Sequence, residues 1–234
     1  MKIFSGIPRL RRLPDLSYSY TDPTIATKQR ERVDQQLAAM TTGNAPDHFK
    51  VVGTVLTQLR NETDLASIKL LDAGCGSAYY FEIAEFFAPG WVEYAGVDFN
   101  PGMLAMARRY YPDLPLARMD LRNLALRDAS FDLVMSGAAI VHIREWREAV
   151  QELARTTRRW LLLHRTLVWR TKPTSVKVER HYAKDVYRVR INEGELLDLM
   201  NNLEMNLVMK CDAGEGTLPP GQENNTYLFE KRRV

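Results

Sequence analysis

The chain has 234 residues, 45% of them hydrophobic and 26% charged, with a formal net charge of +3 at pH 7. That suits one sizeable domain around a single core. The longest apolar runs fall far short of a bilayer span, and the first residues carry no continuous apolar stretch of the secretory kind. Two cysteines, Cys75 and Cys211, make no disulfide framework, and so small a charge does not by itself argue for nucleic acid.

Residues 1 to about 21 form an arm rich in Arg, Pro and Tyr without periodicity. Asp22-Pro23 reads as an N-cap with proline at the first helical position, and Ile25, Val33, Leu37 and Met40 fall near one face of that helix. Thr41 to Asn44 ends it. A second helix from near Pro46 to about Arg60 carries Phe49, Val52, Val55, Leu56 and Leu59 as its stripe. The pattern then alternates strand and helix. Strands are expected at Ile68–Ala73, Trp91–Val97, Leu114–Met119, Phe131–Met135 and Trp160–His164. Helices are expected at Tyr79–Ala88, from the Asn100-Pro101 cap to near Tyr111, and from Arg144 to Thr156. Ser175–Tyr182 and Val186–Ile191 alternate with period two and read as a hairpin. Asn192 with Glu195 predicts a capping box for a helix through Asn202, before closing strands at Leu203–Lys210 and Asn225–Glu230. The expected division is an arm and helical cap over residues 1–61 and a core over 62–234, with a hairpin insertion at about 170–191, in one compact unit.

In an alternating α/β chain, ligands sit beyond the carboxyl ends of the strands. Those ends read Asp72, Asp98, Asp120, Gly137 and His164. Three successive acids would repel a pyrophosphate but suit a cationic ligand with a ribose diol. Asp98 is placed to accept both ribose hydroxyls, Asp120 to meet the exocyclic amine of adenine, and Phe99 and Met103 to pack on its faces. Gly74 and Gly76 allow close approach of the main chain. A nicotinamide fingerprint would want a third glycine where Tyr79 stands. Four dispersed histidines, His48, His142, His164 and His181, offer no metal-ligand spacing, and no metal is expected.

The segments L-L-D-A-G-C-G, G-V-D-F-N-P-G-M-L-A-M-A, A-R-M-D-L and A-S-F-D-L-V-M-S run in order from Leu70 towards Leu163. They resemble the ordered motifs of class I S-adenosylmethionine-dependent methyltransferases. The resemblance implies a Rossmann-like seven-stranded, mostly parallel sheet with helices on both faces and an antiparallel last pair. It implies S-adenosylmethionine as cofactor, its methionine portion at Asp72, Ala73, Gly74 and Gly76, its ribose at Asp98, its adenine at Asp120 and Leu121, with Gly137 alongside. The loop bearing His142 borders the methyl site in related enzymes, so His142 and His164 are the candidate bases for a hydroxyl acceptor. The hairpin residues Arg180, His181, Tyr182, Lys184, Tyr187, Arg188 and Arg190 read as a basic, aromatic wall suited to an anionic or sugar-like small molecule, with Tyr182, Tyr187, Arg188 and Arg165 as expected substrate contacts and Tyr18 and Tyr20 as a lid. The function expected is methyl transfer to O or N of a small molecule by a cytoplasmic monomer or homodimer, with neither nucleic acid nor membrane as partner. A nucleic-acid methyltransferase and a non-catalytic cofactor-binding module are the alternatives; the stretch after strand four, S-G-A-A-I, lacks the Asn/Asp-Pro-Pro-aromatic signature of the first.

Overall fold

A computed structural model describes residues 23–181, 184–214 and 218–232. Helix α1 (Pro23–Thr41) and α2 (Asp47–Asn61) precede an alternating core of β1 (Ile68–Ala73), α3 (Tyr80–Phe87), β2 (Val92–Asp98), α4 (Pro101–Tyr110), β3 (Leu116–Arg118) and β4 (Phe131–Gly137). A 3-10 turn (Ile140–His142), α5 (Trp146–Thr156), β5 (Thr157–Trp169), the hairpin β6 (Ser175–His181) and β7 (Lys184–Asn192), α6 (Glu193–Asn202), β8 (Met205–Asp212) and β9 (Gln222–Lys231) complete it. The order through the core is β3-β2-β1-β4-β5, all parallel, with β9 antiparallel to β5 and β8 antiparallel to β9. This is the expected seven-stranded frame. The hairpin joins the same sheet, because β7 pairs in parallel with the end of β5 through Val168↔Ile191 and Trp169↔Asn192.

Alternation along the strands divides the core into two layers. Ile68, Leu70, Leu133 and Leu162 pack with Phe49, Val52, Leu56 and Ile83 on one face. Leu71, Val134, Leu161 and Leu163 pack with Trp146, Val150, Leu153 and Leu196 on the other. The capping expectations hold where they can be checked. Asn100 Oδ1 accepts from Gly102 N at 2.8 Å and Met103 N at 3.2 Å, and Asn192 Oδ1 accepts from Glu195 N at 3.0 Å. Only half of the second box forms, because the Glu195 carboxylate bonds Arg147 and Thr174 instead.

Strand five is longer than expected. Its apolar run breaks at His164-Arg165, yet the chain continues extended to Trp169. There β5 sets two residues, His164 and Arg165, against Thr226 of β9, and Arg165 takes a φ of +56°. A bulge thus carries the strand past its polar break. The extension supports the hairpin beyond the carboxyl edge of the parallel strands.

Helix α1 roofs that edge. Its anchor is Arg30, only 4% exposed, which bonds Asp34 at 2.7 Å, Glu82 of α3 at 3.0 Å and the Tyr111 hydroxyl at 2.9 Å. The guanidinium also lies 3.7 Å from the Tyr110 ring centroid.

Candidate functional site

A cavity of about 550 Å³ lies along the carboxyl edge, under α1 and beside the hairpin. Its size is that of a small-molecule site. One end is the turn after β1. Gly74 N and Cys75 N donate to Val97 O at 2.8 and 3.0 Å, and Gly76 N donates to Asp98 Oδ2 at 2.8 Å. The two glycines have φ of +83° and +57°. A Cβ on Gly74 would stand 2.3 Å from Ala139 Cβ, and one on Gly76 2.7 Å from Gln29 Nε2. The turn therefore needs glycine for its left-handed backbone and for the close approach of the β4 loop and α1.

Asp98 closes this end. Its Oδ1 accepts from Asn100 N at 2.7 Å while Oδ2 takes Gly76 N–H. Burial pushes its carboxyl upward, opposed by these backbone donors. A carboxylate has about four lone-pair sites, so two remain for a diol. Phe99, Met103, Leu121 and Gly137 also line the cavity. A Cβ on Gly137 would lie 2.5 Å from the Tyr80 ring, so glycine here admits Tyr80. These residues fit an adenosine: ribose acceptors, apolar faces for a base, and a turn without side chains beneath. Asp120 lines the cavity too, gripped by Arg122 through contacts of 2.6 to 3.1 Å, and Arg122 reaches Glu145 at 3.1 Å. The hydrogen bonds from Arg122 hold the Asp120 carboxyl below its usual range.

Not every expected residue reaches the cavity. Asp72 and Ala73 are fully buried behind its wall. Asp72 Oδ2 accepts from the Tyr94 hydroxyl at 2.6 Å, Oδ1 has no partner among the described residues, and burial pushes its carboxyl up to about 7. Strand alternation turns Asp72 beneath the sheet surface that bears α3, so its link to the cavity runs through the turn that follows it. His164 is likewise fully buried off the wall. Its Nδ1 lies 2.7 Å from Thr226 Oγ1, and its ring sits edge-on to Tyr80 at 5.9 Å and stacked near His48 at 6.5 Å. Burial, with Arg165 and His48 adjacent, holds its pKa well below the ordinary value, so the ring is neutral. Tyr18, Tyr20 and Tyr182 lie outside the described residues.

His142 does line the cavity, at the end of the 3-10 turn. Its Nδ1 stands 2.9 Å from the Tyr187 carbonyl oxygen. A carbonyl can only accept, so Nδ1 carries the proton of the neutral ring and Nε2 is the basic nitrogen. Arg165, Tyr187 and Arg188 share the cavity wall with it. Arg190, one of the basic hairpin residues expected over the pocket, lines it as well. Sequence reading missed His48, Gln29, Arg122, Gln222 and Asn224, all of which line it. None of them stands in a motif. Among the described residues, no three His, Cys, Asp or Glu side chains converge as metal ligands, and no helix is long and apolar enough to cross a membrane.

Residues 71–160 match the family described as a methyltransferase domain. Malonyl-[acyl-carrier protein] O-methyltransferase of Enterobacter lignolyticus is 31% identical over 133 residues, 54% of this chain and 51% of that protein. The chain thus spans about half the length of this curated relative. Magnesium protoporphyrin IX methyltransferase of Synechocystis PCC 6803, solved with bound S-adenosylmethionine, superposes with a TM-score of 0.63 at 14% identity, covering 95% of this chain and 99% of that one. A 1,6-didemethyltoxoflavin-N1-methyltransferase of Burkholderia thailandensis gives 0.56 at 14% identity, over 90% and 89%. The domain match, the ordered motifs and the strand order agree in likening this chain to the class I S-adenosylmethionine-dependent methyltransferases.

Proposed function

We propose that this chain transfers the methyl group of S-adenosylmethionine to an oxygen or nitrogen of a small-molecule acceptor. The observation that carries the reading is a single cavity reaching from Gly74, Gly76 and Asp98 to His142 and the hairpin. The relatives act, by their names, on both oxygen and nitrogen, which leaves the acceptor atom to the residues at the far end.

The cofactor, when bound, supplies an already activated methyl group. The protein has to bind, orient and dehydrate. Gly74 and Gly76 hold the methionine portion and Asp98 the ribose; Phe99, Met103 and Leu121 seat the base. Helix α1, through Val33 and its neighbours, covers the cavity and excludes water. His142 Nε2 takes the proton of a hydroxyl or ammonium acceptor, and the Tyr187 carbonyl keeps that nitrogen basic by holding the proton on Nδ1. Arg165, Tyr187 and Arg188 position the acceptor. Asp72 and His164 act from behind the wall: the first, bonded by Tyr94, ends the strand that leads into the glycine turn, and the second ties the bulge that presents Arg165 to Thr226. The free thiols of Cys75 and Cys211 suit a reducing compartment such as the cytoplasm.

The test is incubation with methyl-labelled S-adenosylmethionine and pooled metabolites, followed by mass spectrometry. Label in a small molecule is the expected result. Cofactor binding without transfer to any acceptor would favour a non-catalytic module, and label recovered in RNA a nucleic-acid methyltransferase.

A further inference from the structure

The two ends of the cavity carry opposite charge. Around the glycine turn, three carboxylates, Asp98, Asp120 and Glu145, meet one guanidinium, Arg122. Around the hairpin, three guanidiniums, Arg165, Arg188 and Arg190, meet one carboxylate, Glu179. Arg32 of α1 adds another guanidinium to the lining. Such a division complements a cationic ligand at one end and an anionic one at the other.

Arg190 is built for this. Its side chain is 13% exposed, its Nε donates to Gln222 Oε1 at 2.7 Å, and its Nη2 pairs with Glu179 Oε1 at 2.7 Å. Those two partners, from β9 and β6, fix the plane of the fork. Its Nη1 is buried with no partner among the described residues. A buried cationic donor left over from an otherwise fixed fork is the kind of group a bound carboxylate satisfies. The register of β5 on β7, carried back one step from Val168↔Ile191, brings Arg190 level with Leu167, itself on the cavity wall. Arg165 is re-aimed independently. It sits in the β5 bulge at a φ of +56°, a conformation disfavoured for any residue but glycine, and it lines the same cavity.

We propose that the methyl acceptor bears a carboxylate, docked between Arg165 and the Nη1 edge of Arg190. This rests on the methyl-transfer reading above and narrows its acceptor to an anionic class. The carboxylate in question has two sources, the acceptor and the methionine portion of the cofactor, and the experiment separates them.

Calorimetry would titrate the S-adenosylhomocysteine-loaded protein with aryl carboxylates and short dicarboxylates, each beside its primary amide. The expected result is at least one carboxylate bound ~10-fold or more tighter than its amide. Arg190→Gln and Arg165→Gln should each remove most of that preference while S-adenosylhomocysteine affinity stays within about twofold. Glu179→Gln, which removes the carboxylate competing for the arginines, should tighten carboxylate binding and guards against a misfolded Arg190 variant. Equal binding of acids and amides, or no carboxylate bound, overturns the proposal. So does an equal loss of S-adenosylhomocysteine affinity in the arginine variants, which would place the cofactor's own carboxylate there. If wild-type protein fails to bind S-adenosylhomocysteine at all, the methyl-transfer reading fails first and this one with it.

Discussion

The two ends of the cavity are built by different means. The glycine-turn end comes from short contiguous segments, each ending a parallel strand, and its contacts are mostly backbone: Gly76 and Asn100 N–H to Asp98, Gly74 N–H to Val97. The hairpin end comes from β5, β6, β7 and β9, and its contacts are between side chains distant in sequence, such as Arg190 with Glu179 and Gln222. The first end repeats a geometry that a few residue types dictate. The second depends on a bulge and a strand register. A common cofactor and a particular acceptor would divide the cavity in this way.

Substitutions can break or sharpen that contrast. The largest effect is expected where the ends meet, since His142 on the β4 loop is oriented by Tyr187 of the hairpin. His142→Ala should slow transfer by roughly 10²- to 10⁴-fold, the usual worth of a general base, with cofactor affinity unchanged. Single-turnover rates beside calorimetry check this; a wild-type rate would remove His142 from the chemistry. Gly74→Val should reduce S-adenosylhomocysteine affinity at least ~100-fold, about 2.7 kcal/mol. The reason is a Cβ 2.3 Å from Ala139 Cβ on a backbone at φ +83°. Unchanged binding would separate the turn from the ligand. Asp98→Ala removes the carboxylate acceptors left for the ribose diol and should cost about 1–3 kcal/mol of cofactor binding. Carboxylate binding at the hairpin end, measured in the same titrations, should change far less; a parallel loss would mean that the ends are not separable.

The smallest effect concerns Asp72 and stability. Burial places its folded-state carboxyl at about 7, against an ordinary 3.8. Between those values the folded chain binds more protons than the unfolded one. This residue's contribution therefore makes stability fall as pH rises through that window and level off above it, with a slope of at most about 1.4 kcal/mol per pH unit. Asp72→Asn should flatten that part of the profile, as read by urea denaturation from pH 5 to pH 8. An identical pH profile in the variant would show that Asp72 is ionised at acid pH in the fold.

Much of the lining at the glycine-turn end was legible. Gly74, Gly76, Asp98, Phe99, Met103, Asp120, Leu121 and Gly137 all lie on the cavity, because a strand end followed by a turn fixes where its next residues go. Even there the reading missed depth. Asp72 and His164 end strands too, but alternation sends their side chains into the layer under α2 and α3, and period alone does not say how far the helices reach. Arg122 was invisible as a partner because Asp120 was read for a ligand rather than for its own neighbour two residues on.

By itself the sequence determined the alternating frame, the glycine turn and the cation-compatible acids, since these depend on local patterns of apolar run, turn and cap. Tertiary structure alone decided that β5 continues through a bulge at Arg165, that Arg190 is clamped by Glu179 and Gln222, and that His48 and α1 close the cavity. The physical reason is range: a turn is settled by the conformational preferences of a few adjacent residues, whereas a fork of side chains from three strands exists only once those strands are paired.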